Sequence, residues 1–387
     1  MSAQDSKRIV VVGAGLLGLA AAAELARRGH RVTVLERAVP GAEASTAAAG
    51  ILGPQLEHDD DGPTLDLGVA GARATLALAD VIAREVPAHA HLDVMKRGAL
   101  KIARSDDEAR ALSRRAAWQT ARGLRAHIVD ETAARALVPA LGDGVALACV
   151  FPDDHCLDPR AYGPALLALA LHRGVALTSG VPVVRMIESA GRVAGVVLAN
   201  NTRVDADVVL VCAGAWSSRV PDVQRLAHLQ DHTVHPVRGQ MLELAAPNGD
   251  DGGGAVDRVI YGAGGYLVPR GDGRVVVGST TEPSAGFDKS VTAAGVQALL
   301  ARALTLVPSL GERAIARTWA GLRPSTSDGL PLIGAAHAPG LWLSTGHYRN
   351  GVLLAAISAE IVGALIDNER PSLDVAPFSP KRLHSSA

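Results

Sequence analysis

The 387-residue chain has little cysteine, few aromatic rings and no excess of either charge. Cys149, Cys156 and Cys212 are its only cysteines, too few and too scattered for a disulfide framework or a zinc cluster, so the chain reads as a soluble cytoplasmic protein. Lysine and arginine number 38 against 39 aspartates and glutamates, a net charge of −1. That leaves no cationic surplus to neutralise a phosphate backbone, and nucleic acid is not expected as a partner. Aromatics make up 3%, so the core must be aliphatic. With 48% hydrophobic and 20% charged residues, disorder is excluded, and the length suits two domains. No G-x-S-x-G is present, which removes the hydrolase elbow. His232 and His235 lack further ligands at useful spacing, so no metal site is expected. The one long apolar run, 9–26, is broken by Gly13, Gly15 and Gly18 and closed by Glu24, Arg27 and Arg28. A strand, a turn and a helix explain it better than a membrane span.

What is present begins with that run. Residues 8–12 form a β-branched stretch suited to a buried parallel strand, 16–28 an alanine- and leucine-rich helix, and 31–35 a second strand, with Gly29 at the helix C-cap. Gly13-Ala14-Gly15-Leu16-Leu17-Gly18 then falls between strand and helix as G-x-G-x-x-G. In that context the first glycine makes the turn, the second admits a pyrophosphate and the third packs helix on strand. Glu36 ends the second strand, where a carboxylate accepts from ribose hydroxyls and disfavours a 2′-phosphate. The motif reads only the ADP half, so NAD and FAD both remain open at this point. A second glycine loop, 346–351, opens an apolar helix and offers N–H groups to an anionic ring edge.

Between these motifs the periodicity predicts helices at 67–85, 106–122, 159–172 and 293–306. Strands are expected at 174–178, from 181 onward, at 207–212, and in a hairpin 192–198/202–205 around Asn200-Asn201. Alternating strands at 240–244, 266–269 and 274–278 suggest an antiparallel sheet with turns at 248–254 and 271–273, and His155 reads as a loop residue. The fold class is α/β: a Rossmann-like domain (1–85, 150–222 and 320–387) interleaved with an α+β substrate domain (86–149 and 223–319) carrying the antiparallel sheet.

Five segments resemble the D-amino-acid-oxidase-type FAD oxidoreductases, closest to the glycine oxidases of thiamine biosynthesis. They are 13–18, Ser45-Thr46-Ala47-Ala48-Ala49-Gly50-Ile51-Leu52, Tyr266-Leu267-Val268-Pro269-Arg270, Trp319-Ala320-Gly321-Leu322-Arg323-Pro324, and Gly346-His347-Tyr348-Arg349-Asn350-Gly351-Val352-Leu353-Leu354. The resemblance implies non-covalent FAD. Gly13 to Gly18 would hold its ADP half with Glu36 and Arg37, and Ser45, Thr46, Ala47, Ala48, Ala49 and Gly50 would run along the pyrophosphate and ring. Val183 would face the adenine, Ala213, Gly214 and Trp216 would line the channel, and Gly346 to Leu353 would hold the ring edge. Arg323, beside the flavin, would clamp a substrate carboxylate with the Tyr266 hydroxyl, while Arg349 reaches in from the opposite wall.

The implied activity is oxidation of glycine or a related small amine (sarcosine, another N-substituted glycine, a D-amino acid). A hydride would pass from Cα to flavin N5, with dioxygen as acceptor and imine or 2-oxo acid plus hydrogen peroxide as products. Such chemistry asks the protein mainly to orient a neutral amine, and a guanidinium fixes a carboxylate in a way lysine cannot. Two alternatives are a dehydrogenase of amino or hydroxy acids that feeds a quinone and an inactive flavin-binding subunit. Retention of Arg323 and Tyr266 argues against the second. Small residues at 262–265, Thr281 and Ala356, where bulkier or stiffer ones are typical of the family, lead to the expectation of a pocket that takes more than glycine. Self-association is left open.

Overall fold

The computed structural model describes residues 6–247 and 255–383, so the expected turn at 248–254 lies outside the described residues. Strand Arg8–Val12 occupies the middle of a six-stranded sheet, parallel to Arg31–Glu36 on one side and Val208–Val211 on the other. Ala176–Ser179 and Leu341–Thr345 extend the sheet in parallel, and Leu332–Ala335 closes one edge antiparallel. Layers cover both faces, which is why the central strands read as unbroken apolar runs. One face carries helices Leu16–Arg27, Pro63–Glu85, Pro159–His172 and Gly351–Ile366. The other carries the three-stranded antiparallel sheet Val183–Ser189, Arg192–Leu198 and Arg203–Asp205.

Two glycines set the geometry of the first turn. Gly13 has φ +109°, and a Cβ there would lie 2.6 Å from the Cys212 carbonyl oxygen. A Cβ on Gly18 would collide with the Gly13 carbonyl, so the helix can approach its own strand only without side chains at both positions. Helix Gly351–Ile366 is apolar apart from Ser358 and the exposed Glu360 because it is enclosed; 13 of its 16 residues are buried. Gly71 of the long helix lets it come close, since a Cβ there would lie 2.7 Å from the Leu353 carbonyl oxygen.

The second sheet has eight strands in the order Ile315–Thr326, Val234–Leu244, Val275–Gly278, Gly265–Pro269, Val259–Gly262, Ala99–Ala103, Leu147–Phe151, His127–Val129. Helix Ala293–Leu306 packs on one face through Leu299, Ala303 and Leu306. The strands expected at 240–244, 266–269 and 274–278 pair antiparallel as expected, while Val259–Gly262 further along the sheet runs parallel to Ala99–Ala103. The strand expected at 240–244 begins at Val234, because eleven residue pairs join it to Ile315–Thr326, a segment with no clear alternation of its own. His155 is not in a loop; His155–Cys156 pairs with Ile51–Leu52. His235 lies on Val234–Leu244, and among the described residues no group of three metal-ligating side chains occurs. No described helix is long and apolar enough to cross a membrane.

Candidate active site

The two sheets meet across a cavity of about 350 Å³ walled by both glycine turns. At one end the chain leaves Arg8–Val12, and the Gly13 N–H donates to the Leu35 carbonyl. The Glu36 carboxylate accepts from the N–H groups of Ala14 (2.9 Å) and Ala38 (3.0 Å), which fixes it beside the turn. Helix Leu16–Arg27 begins at Gly15 with no side-chain cap there, and the Leu16 N–H donates to Ser45 Oγ at 3.0 Å. Helix Gly351–Ile366 also starts at the cavity, again without a side-chain cap at Asn350. Two positive helix ends therefore face the same space. At the outer wall the Arg37 guanidinium lies 4.1 Å from the Trp216 ring centre.

The backbone carbonyls of Ala47 and Ala49 are tied to side chains of the second sheet. Ala47 accepts from Trp319 Nε1 (3.0 Å) and Ala49 from the buried Arg270 (2.8 Å). His347 lies in the wall with 3% of its surface exposed; its Nε2 bonds Ser358 Oγ at 3.0 Å, and its Nδ1 has no partner. Burial pushes its imidazole down to about 3, so the ring is neutral at ordinary pH.

At the other end, consecutive residues of one segment hold two arginines. Arg323, on Ile315–Thr326, donates to Ser279 Oγ (2.6 Å) and the Thr280 carbonyl (3.2 Å) and meets no carboxylate among the described residues. Arg349 donates to Thr281 Oγ1 (3.1 Å) and Tyr261 Oη (3.4 Å), with a Glu57 oxygen 3.9 Å away. Burial works against the Arg349 charge, yet Glu57 and Tyr261 keep its pKa above the ordinary value. Arg238, on the neighbouring strand, is already paired with Glu282 and Asp288. Tyr266 faces the cavity, and its hydroxyl makes no hydrogen bond with a described residue; its ring fills space that a Cβ on Gly278 would take.

Most residues singled out in the sequence line this one cavity: Gly13, Gly15, Leu16, Leu17, Glu36, Arg37, Ser45, Ala47 to Gly50, Val183, Ala213, Gly214, Trp216, Tyr266, Arg323 and His347 to Val352. Five do not. Ala14 and Leu353 are core residues, Gly18 and Gly346 are needed for close packing, and Thr46 contacts the Glu43 carbonyl. The small residues expected to enlarge the pocket mostly lie elsewhere. Gly262 packs on Ile102 and Leu306, Gly264 and Gly265 on Arg302, and Ala356 is buried in its helix; only Thr281 touches the site, through Arg349. Sequence reasoning missed Glu57, Tyr261, Gly239, Ser279 and Thr280. An acid closing the apolar segment 49–56 is the one local signal that could have flagged any of them.

Residues 8–365 match the family described as FAD dependent oxidoreductase, DAO. The chain belongs to this family. It is 31% identical to a glycine oxidase of Geobacillus kaustophilus over 380 residues, covering 97% of this chain and 96% of that one. A glycine oxidase of Pseudomonas aeruginosa is 34% identical over 381 residues, covering 97% and 99%. The crystal structure of the Geobacillus kaustophilus glycine oxidase superposes with a TM-score of 0.89 at 29% identity, covering 99% of this chain and all of that one. That of iminodiacetate oxidase from Chelativorans sp. BNC1 gives 0.85 at 27%, covering 96% and 99%.

As a family member the chain is an FAD-dependent amine or amino-acid oxidase, and the cavity fits that cofactor. Its dinucleotide end is lined by Gly13 and Gly15 together with Glu36 and Arg37. Two helix ends without a side chain at the N-cap suit the pyrophosphate and the ring's carbonyl edge, and His347, whose Nδ1 has no partner, is part of the same wall.

Proposed function

We propose that this protein oxidises glycine or a small N-substituted glycine such as sarcosine, or a D-amino acid, with non-covalent FAD and dioxygen as acceptor. The observation that carries this reading is Arg323: a cation in the cavity wall, held by a hydroxyl and carbonyls and facing no carboxylate among the described residues. A substrate carboxylate supplies the missing partner through two parallel N–H donors, and the free Tyr266 hydroxyl donates to the same group. With its carboxylate fixed at two points, the amine has one position, and its Cα–H bond one direction. FAD, when bound, supplies the acceptor for the hydride leaving Cα and passes the electrons to dioxygen, giving imine and hydrogen peroxide. The only cavity acid at this end, among the described residues, is Glu57, and it is committed to Arg349. The amine must therefore arrive neutral, without a side-chain base to deprotonate it.

In this reading segments 1–85, 150–222 and 320–387 form the cofactor domain, and 86–149 and 223–319 the substrate domain. The strands of the six-stranded sheet all fall in the first set. The test is anaerobic mixing of the yellow holoprotein with glycine, sarcosine and D-alanine. Bleaching of the flavin by at least one, with peroxide formed in air, is the expected result; a flavin that no amine reduces would sink the reading. Bleaching with dye reduction but no peroxide would favour a dehydrogenase.

A further inference from the structure

The charges at the amine-binding end of the cavity can be counted. Among the described residues lining it there, Arg323 and Arg349 are cations and Glu57 is the anion; behind the wall Glu57 also feels the half-buried Lys101 and the buried Arg115. Glu57 ends the one-turn helix Pro54–Glu57, and its side chain is 12% exposed, so solvent screens it weakly. The helix is fixed from behind: the Asp154 carboxyl group accepts from the N–H groups of Gln55 (3.3 Å) and Leu56 (2.7 Å), Gln55 Nε2 donates to Gln119 Oε1, and Gln119 Nε2 donates to the Gln55 backbone carbonyl. The backbone that carries Glu57 is therefore fixed, and Arg349 is anchored opposite it by Thr281 and Tyr261.

We infer that Glu57 is a specificity-determining residue that restricts this enzyme to amines carrying a single carboxylate. The inference rests on the proposed function and names the substrate class within it. A neutral amine with one carboxylate carries −1, matching the net +1 of the three charged groups that line this end. A dicarboxylic amine such as iminodiacetate carries −2 in the same protonation state. Its second carboxylate must lie near Arg349, where Glu57 already occupies the positive field and repels it. Replacing Glu57 by neutral glutamine raises the count to +2 and releases Arg349 for that second group. Charges about 5 Å apart in a partly buried site interact strongly enough that losing one shifts selectivity by at least tenfold.

The experiment compares wild type with Glu57→Gln, a change of charge at nearly constant shape. Limiting flavin-reduction rate constants and kcat/KM are measured for sarcosine and for iminodiacetate. Kd values for the unreactive acids acetate and malonate are read from the flavin absorption spectrum. In wild type sarcosine is used well and iminodiacetate poorly, and acetate binds at least as tightly as malonate. In Glu57→Gln the iminodiacetate-to-sarcosine ratio of kcat/KM rises tenfold or more, and the malonate-to-acetate affinity ratio rises with it. A wild type that already prefers iminodiacetate, or ratios that do not change in the variant, would overturn the inference while leaving the oxidase reading intact. If neither sarcosine nor any other monocarboxylic amine reduces the flavin, the reading and the inference fall together.

Discussion

The guanidinium of Arg323 occupies the place a side chain on Gly239 would take. An added Cβ there would collide with both Nη atoms and with Cζ. The two residues lie on adjacent antiparallel strands, Gly239 opposite Gly321 and Arg323 opposite Val237, so the cationic end group folds back two residues along the partner strand. The missing side chain at Gly239 is what lets Arg323 reach Ser279 and Thr280 and face the cavity.

Gly239→Ala should therefore inactivate without unfolding. The colliding atoms belong to the far end of a flexible side chain, which can move aside at little cost in stability. The displaced guanidinium no longer meets the carboxylate, so kcat/KM for the best amine falls tenfold or more while FAD content and Tm stay close to wild type. A variant with full activity would show that the position of Arg323 is not set by this contact.

If Arg323 clamps the substrate as proposed, Arg323→Ala removes the carboxylate's partner altogether. Losing one member of a buried charged pair costs about 2–5 kcal/mol, so flavin reduction by amine at low concentration should slow by about 100-fold or more. The protein stays yellow. Arg323→Lys recovers only part of the rate, because one ammonium cannot offer two parallel donors. If Arg323→Ala loses its colour as well, the residue belongs to the cofactor site instead.

Gly18→Ala acts at the opposite end. Its Cβ would meet backbone, the Gly13 carbonyl, so helix and turn must part. Overpacking of this kind costs about 1–3 kcal/mol. The expected outcome is a lower Tm and loss of bound FAD, read from the flavin-to-protein absorbance ratio; a fully yellow, equally stable variant would contradict the packing role.

His347 gives the fold an acid sensitivity whose sign follows from its burial. Its folded pKa is lowered to about 3, whereas in the unfolded chain it is ordinary, about 6.5. Between those values the unfolded chain binds a proton that the folded one does not, so stability is lost as pH falls below about 6.5. From pH 7 to pH 5 this one residue should remove about 2 kcal/mol. His347→Gln, which retains a group able to bond Ser358, should show a smaller drop in Tm over the same interval, measured by thermal unfolding of the holoprotein. Equal slopes would assign the acid sensitivity to other groups.

The glycine turn, its strand and helix, and the acid at Glu36 were legible because each is a local demand: φ at Gly13, clearance at Gly18, period along 16–27. Segments 99–103, 147–151 and 315–326 were not, since their side chains alternate weakly and only pairing across the sheet makes them strands. The helix expected from 67 starts a turn earlier at Pro63, whose fixed φ suits the first helical position. The expected enlargement of the pocket by 262–265 and Ala356 failed because closeness in sequence to Tyr266, or to the second glycine loop, is not closeness to the cavity.

The amino-acid order alone thus settles what short range can enforce: a dinucleotide turn, a second glycine loop opening an apolar helix, an aliphatic core and an arginine followed by a proline. Which charges stand together was decided by the packing of two sheets. Glu57 faces Arg349 across nearly three hundred residues of chain, and Arg323 meets no carboxylate among the described residues. Electrostatic pairing depends on separation in space, and only the closed fold defines that separation.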